Sequence, residues 1–344
     1  MDSKLGLNKM NKTLIALALA AVAGGASAAT DFSPAVNGGD NTNAIYSADG
    51  ANLFLGGRAE FRGDFNGNED GSDIDGTMAD KSRVRLNVGG TTQITDTLSG
   101  FGFYEAEQTT KSANDDSKFQ QRYAYVGLMG TYGAVSFGRQ NTAGVQISDM
   151  SDIATYTGDQ KAFIYAGNEQ INNTIAYTGQ FDALTVKASV IAGEEDDSDG
   201  YGVSAIYNLP FGLGLGLGYA AGENNNGDAD QVIAGINYTN GGFYTGFTYT
   251  TGDLDDDNDF DGYEFAAKYK FENNFSIIGA YQNRQVENDD ISDFFELTGA
   301  YDFNKHLNAY VAYKFNQLDD AYTDNNGKVQ DAEDSVRLGL KYTF

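Results

Sequence analysis

Very little in this 344-residue chain could perform covalent or metal chemistry. Cysteine is absent and His306 is the single histidine, so thiolate sites, disulfides and histidine-built metal centres are excluded. Asp257, Asp259, Asp261 and Gly262 spell the opening of a calcium-binding loop, but its twelfth position is Lys268, where a bidentate glutamate is required. Gly212, Gly214, Gly216 and Gly218 alternate strictly and lack the lysine and the following helix of a phosphate loop, which makes them part of a strand with leucines facing outward. What remains is fixed charge. Asp149, Asp152 and Asp159 lie in the long stretch 141–168, and Arg58, Arg62, Arg83, Arg85 and Arg122 are spaced through the first third of the chain. Such groups can orient or sort ions, but they break no bond. The expectation is a protein that is not an enzyme and has neither cofactor nor metal.

The elements that carry these residues are strands. Val336, Leu338, Leu340, Tyr342 and Phe344 alternate with Ser335, Arg337, Gly339, Lys341 and Thr343, an apolar face against a polar one at period two. The segments 307–316, 262–271 and 53–62 read the same way. Alternation also builds soluble sandwiches. Here, however, aromatics gather near strand ends (Phe54, Phe61, Tyr104, Tyr132, Phe181, Tyr263, Phe271, Tyr342, Phe344), as the two interfaces of a bilayer require. About sixteen such segments follow from residue 52. Their linkers are by turns short (95–96, 130–133, 181–182, 209–210, 240–242, 272–274, 304–306) and long, acidic and Gly/Asn-rich (66–80, 111–118, 141–168, 194–199, 223–228, 253–259, 287–290, 318–333). The fold expected is all-β: a 16-stranded antiparallel transmembrane β-barrel with short periplasmic turns and long external loops. By alternation Arg58, Arg85 and Arg122 face the lumen, because Leu55, Leu86 and Tyr123 take the other side. Arg62 and Arg83 share the inward phase, as do Glu105 and Glu107. His306 falls in a periplasmic turn, away from where a hydrolytic triad could work.

Lys9 and Lys12 precede an apolar run from Leu14 to Ala23 and the triplet Ala26-Ser27-Ala28, a secretory signal peptide with its cleavage site. The domains expected are a cleaved signal peptide at 1–28, a loosely structured lead-in at 29–51 and a barrel at 52–344. Cleavage removes three lysines and one aspartate and moves the formal charge from -27 to -29. A field of that sign repels nucleic acid and attracts small cations.

The strings LGGRAEFRGDF, SRVRLNVGGTTQI, GFGFYEAE, QRYAYVGLMGTYGAVSFGRQ and the final LGLKYTF, in this order, resemble the general diffusion porins of Gram-negative bacteria, most closely their OmpU-like branch. The resemblance covers the whole mature chain. It implies an outer-membrane homotrimer in contact with lipid and lipopolysaccharide, delivered by periplasmic chaperones and the barrel assembly machinery, for which Phe344 and Tyr342 form the C-terminal signal. It also implies a third extracellular loop folded into the lumen, which is 141–168 here. Asp149 and Asp152 then match the acidic side of the pore constriction, and Arg58, Arg85 and Arg122 its basic side, with Arg62, Arg83, Glu105 and Glu107 as extensions. Gln170 stands where some relatives carry arginine. A field between the two sides orients dipolar solutes and hinders apolar ones. A lone arginine on a polar strand face would be merely solvated; three at matched positions favour the pore lining. The function implied is passive, cation-preferring diffusion of small hydrophilic solutes. The alternatives are a substrate-specific channel, for which Phe101, Phe103 and Tyr310 look too scattered, and a non-channel adhesin.

Overall fold

The computed structural model describes residues 43–110, 119–195, 198–224, 227–318 and 332–344. The signal peptide, the first part of the lead-in, the loop 111–118 and most of the loop 318–333 lie outside the described residues. The strands are β1 Asn43–Ala48, β2 Ala51–Asn66, β3 Ala79–Asp80, β4 Arg83–Thr95, β5 Leu98–Thr109 and β6 Gln120–Gly130. They continue with β7 Gly133–Gln140, β8 Ile171–Phe181, β9 Leu184–Ile191, β10 Gly200–Asn208, β11 Leu213–Asn224 and β12 Gly227–Asn240. The last are β13 Phe243–Asp253, β14 Asp259–Lys270, β15 Phe275–Val286, β16 Asp289–Asp302, β17 Leu307–Asn316 and β18 Ser335–Thr343.

Each main strand pairs antiparallel with its sequence neighbours, and β18 pairs with β2 from Ser335 opposite Asn66 to Thr343 opposite Arg58. Setting aside the short β1 and the two-residue β3, sixteen strands close into a barrel, so no ladder is left as an open edge. Closure is completed at the C-terminus, where the Phe344 N–H donates to the Gly57 carbonyl at 3.0 Å and Gly57 N–H donates back at 3.2 Å.

The side chains are distributed inside out. Leu217 is 61% exposed and Val126 62%, and Leu55, Phe61, Leu86, Phe265, Leu297 and Leu340 share that outer surface. Arg337, Glu105 and Glu264 are fully buried, as are most of the polar residues that alternate with those apolar ones. A soluble sandwich would bury the first set and expose the second. Only an apolar solvent outside and a polar interior inside account for the pattern. Of the aromatics expected at the interfaces, Phe61, Tyr104, Tyr132, Phe181, Tyr263, Phe271 and Tyr342 stand exposed, while Phe54 and Phe344 are half-buried.

Three details differ from expectation. The end of the lead-in is the strand β1, which folds back on β2 through the turn at Asp49 and Gly50, rather than loose chain. The acidic stretches 223–228 and 287–290 are mostly strand: β11 runs to Asn224 and β12 starts at Gly227, and β15 and β16 meet across Glu287 and Asn288, both at positive φ. Strand pairing there tolerates charged residues because they stand beyond the apolar band, in water. Finally, Tyr123 does not face outward; it is 2% exposed and packs with Phe101, Phe103 and Tyr125 on the inner wall. The register of β5 against β6 shifts between Glu105 and Ala106, opposite Tyr123 and Gln121, and leaves Arg122 as the extra residue. That bulge breaks the alternation and lets Arg122 and Tyr123 both point inward. Phe101 and Phe103 thus join Tyr123 and Tyr125 in one cluster, which does not include Tyr310, the third of the inward aromatics named from sequence.

Candidate functional site

Strand register assembles the basic side. β2 against β4 places Arg58 opposite Arg85 and Glu60 opposite Arg83, and β4 against β5 places Arg85 opposite Glu107 and Asn87 opposite Glu105. Each guanidinium therefore has a carboxylate within reach. Arg83 Nε donates to Glu60 at 2.7 Å, Arg85 donates to Glu107 at 2.7 Å and 3.0 Å, and Arg122 Nε donates to Glu105 at 3.0 Å. Arg62 lies 3.6 Å from Glu60 and Arg58 lies 4.0 Å from Glu107. From the far side of the barrel seam, Tyr310 donates to Glu60 at 2.7 Å and accepts from Arg62. Charge-assisted bonds of this kind fix the planar guanidinium groups in place.

The connection between β7 and β8 is the acidic counterpart. It contains a one-turn helix, α1 Val145–Ser148, and two 3-10 turns at Asp159–Lys161 and Tyr165–Gly167. Several of its backbone groups are bonded to inward strand residues rather than left to water. Glu296 accepts from the N–H groups of Thr155 and Tyr156 at 2.9 Å, and Glu264 accepts from Gly158 N–H at 2.7 Å. Tyr244 donates to the Met150 carbonyl, Gln146 to Ser204, and Arg337 to the Thr155 carbonyl. Arg337, itself fully buried, also grips Asp64 through two bonds of 2.7 Å and 2.8 Å and stacks over Tyr156 at 4.0 Å. These contacts hold the segment against the inner wall.

Glycine makes room for it. A Cβ at Gly216 or Gly235 would run into Ile147 and Met150, and one at Gly246 would run into the Met150 backbone. The Gly-Leu alternation of β11 thus has two faces: leucines toward lipid, and a shallow groove that receives the loop.

Within this segment Lys161 Nζ lies 3.1 Å from Asp152. Asp149 is open to lumen water, yet the barrel encloses it on every side, and that enclosure pushes its carboxyl up to about 6, with Lys161 opposing the shift and Asp152 adding to it. Enclosure likewise raises Asp152. It works against the charged form of Lys161 too, but Asp152, Glu169 and Asp149 outweigh it and hold that ammonium above its ordinary value.

The two sides line one cavity of about 870 Å³, with Arg58, Arg62, Arg83, Arg85 and Arg122 on the strands and Asp149 and Asp152 on the loop. Glu105 and Glu107 are not additional lumen carboxylates acting on their own; they are spent on the arginines. Glu60, Lys161 and Glu169 belong to the same site without having been marked by the sequence, and so does Tyr310, which the sequence offers only as an inward aromatic. Glu60 could have been marked, since it shares the polar phase between Arg58 and Arg62. Glu169 lies one residue past the loop end assigned at 168. The inward phase of Tyr310 is legible by alternation, but its partner Glu60, 250 residues away, is not. His306 donates a ring N–H to the Thr343 carbonyl at 2.8 Å and helps fasten the last strand. Asp257 lies in a turn, while Asp259, Asp261 and Gly262 are strand residues of β14, so they do not form a continuous ion-binding loop.

A family model described as "Gram-negative porin" matches residues 15–321. Outer membrane protein U of Vibrio parahaemolyticus is 35% identical, the alignment covering 97% of this chain and all of the relative, and porin-like protein L of Photobacterium profundum is 34% identical over the same shares. Among solved structures, Salmonella typhi OmpF in complex with daunomycin superimposes with a TM-score of 0.76 at 21% identity, covering 88% of this chain and 100% of that one. An anion-selective porin from Comamonas acidovorans superimposes with a TM-score of 0.67 at 18% identity, covering 86% of this chain and 100% of that one.

Proposed function

Because the chain belongs to the Gram-negative porins, outer-membrane diffusion channels rather than enzymes, we propose that its selectivity is set where the β7–β8 loop meets the arginine wall, and that it prefers cations. The observation that carries this reading is the shared cavity: Asp149 and Asp152 on one side, Arg58, Arg85 and Arg122 with Arg62 and Arg83 on the other. Five arginines alone would favour anions. Glu60, Glu105 and Glu107 are threaded among them, which leaves two net positive charges on the wall. Asp149, Asp152, Asp159 and Glu169 against Lys161 and against Arg284, which lies 4.0 Å from Asp159, leave two net negative charges at the loop, enough to offset the wall. The strongly acidic exterior then tips the balance toward cations by concentrating them at the mouth. An anion-selective porin has the same fold, so the barrel by itself does not decide the sign; the charges do.

The functional unit in this proposal is a homotrimer in lipopolysaccharide-containing membrane, with Tyr342 and Phe344 as the segment read by the assembly machinery. One of the solved neighbours, OmpT of Vibrio cholerae, is described in a trimer form. In planar bilayers the purified protein is expected to insert in conductance steps that close in threes, and liposomes carrying it to take up small sugars at rates falling with size. Steps that never subdivide into three would overturn the trimer, and sugar uptake blocked by one specific ligand would favour the substrate-specific alternative.

A further inference from the structure

The charges at the two ends of the lumen differ as sharply as those on its two sides. At the turn end, Lys268 lies on the inward phase of β14 two residues from its close, Lys341 stands near the end of β18 opposite Asn308, and Lys305 is exposed in the turn between β16 and β17. All three line the lumen cavity. Glu60 stands opposite Lys341 across β18 and β2, and on the rim itself Asp302, which also lines the cavity, is taken up by Lys270 at 2.6 Å and by Asn308 at 2.7 Å. At the loop end, the connections 67–82, 192–199, 254–258, 287–288 and 332–334 carry Asp70, Asp73, Glu195, Asp255, Asp256 and Glu333 among others. Lys81 is the one basic side chain among the described residues of those connections.

We propose that the channel is electrically polarised along its axis: the lysine-lined vestibule recruits small anions, the acidic mouth recruits cations, and the open channel conducts better when the loop side is positive. The inference rests on the reading of the chain as an open pore. With the loop side positive, cations enter through the mouth that concentrates them and anions through the vestibule that concentrates them, so both carriers fill the lumen. With the polarity reversed, each carrier is drawn in through the end that repels it, and the lumen is depleted. The effect reaches only as far as charge is felt in solution, about 10 Å at 0.1 M salt and about 3 Å at 1 M. It is separate from the transverse field between loop and wall, which has no polarity along the axis.

The absence of cysteine makes a clean test available. Full-length protein carrying Asp256→Cys is inserted into planar bilayers, and its orientation is read by which chamber's impermeant thiol reagent reaches it. Current is expected to be about twofold larger with the loop side positive in 0.1 M KCl, and equal in both polarities in 1 M KCl. Lys305→Cys, an exposed turn substitution, should lower the ratio, a cationic methanethiosulfonate added from the turn side should restore it, and an anionic one should lower it further. Lys268→Gln should lower it independently. Symmetric current at 0.1 M, the opposite polarity, or a ratio unmoved by the Lys305→Cys modifications would overturn the proposal while leaving the pore reading intact. Absence of any conductance would instead remove the pore reading itself.

Discussion

The wall and the loop that share the lumen hold their charges in different ways. On the wall, strand register delivers a carboxylate to each arginine: Glu60 opposite Arg83, Glu107 opposite Arg85, and Glu105 within reach of Arg122 at its bulge. On the loop, Lys161 pairs with Asp152, Arg284 of β15 reaches Asp159 at 4.0 Å, and the segment is kept in place by backbone groups bonded to Glu264, Glu296 and Arg337. The wall is therefore fixed by the ladder that makes the barrel, and its charge is partly cancelled. The loop keeps a net negative charge that offsets the wall's positive one, and its position depends on a small number of anchors. Anchors and charges can be changed separately, which is how the comparison can be broken.

The largest effect is expected at the seam. Arg337→Met leaves Asp64 buried without its partner, a loss of about 3–5 kcal/mol by analogy with other broken buried pairs, and releases the Thr155 carbonyl. The midpoint of the heat-induced gel mobility shift should fall markedly, and single-channel current should become noisier as the loop loosens. Adding Asp64→Leu should recover much of the thermal loss but not the quiet current. A midpoint equal to wild type in the single variant would show that the pair does not hold the seam.

Next comes the groove. Gly246→Val places a side chain where the Met150 backbone lies, an overpacking that costs about 1–3 kcal/mol and should displace the loop. Conductance is expected to change while the strand content measured by circular dichroism does not. If conductance stays at the wild-type value, the loop is not seated on that glycine.

Charge substitutions come third. Asp149→Asn with Asp152→Asn should lower the potassium-to-chloride permeability ratio by about threefold, and Glu107→Gln should shift it the same way by less, because the carboxylate it loses is already paired. Arg85→Gln should shift it in the opposite direction. A larger effect from Glu107→Gln than from the loop pair would reverse the comparison between wall and loop.

The smallest effect is expected from pH. The Asp149 carboxyl is held at about 6 by enclosure, above the ordinary carboxylate range, so it is ionised at pH 7.5 and mostly protonated at pH 5. Lowering the pH across that interval removes one negative charge from the loop and should reduce cation preference. Asp149→Asn should abolish that part of the change.

Much of the fold was legible in the sequence because a barrel repeats one rule. Leu338, Leu340 and Tyr342 announce a lipid face by their period, and the linker lengths announce which end of each strand is which. The inward phase of Arg58, Arg62, Arg83 and Arg85 followed from the same rule. Arg122 faces the lumen through the bulge and not through alternation, since Tyr123 beside it also points inward. Bulges shift register without marking composition, so period two is blind to them. Loop seating was illegible for another reason. Glu264, Glu296 and Arg337 look like ordinary polar strand residues until the loop arrives 100 or more residues away in sequence to use them. Likewise the glycines of β11 to β13 looked like weak strand formers when their use is the space they leave.

Cation preference in this channel rests on loop carboxylates that offset the arginine wall and on an acidic exterior that tips the balance. The reversal potential of the wild-type channel under a tenfold KCl gradient at pH 7.5 tests it most directly. A potential with the sign of a potassium-permeable pore is expected, moving toward zero in the Asp149→Asn/Asp152→Asn variant. A chloride-signed potential in the wild type, or one that the double substitution leaves unmoved, would contradict it.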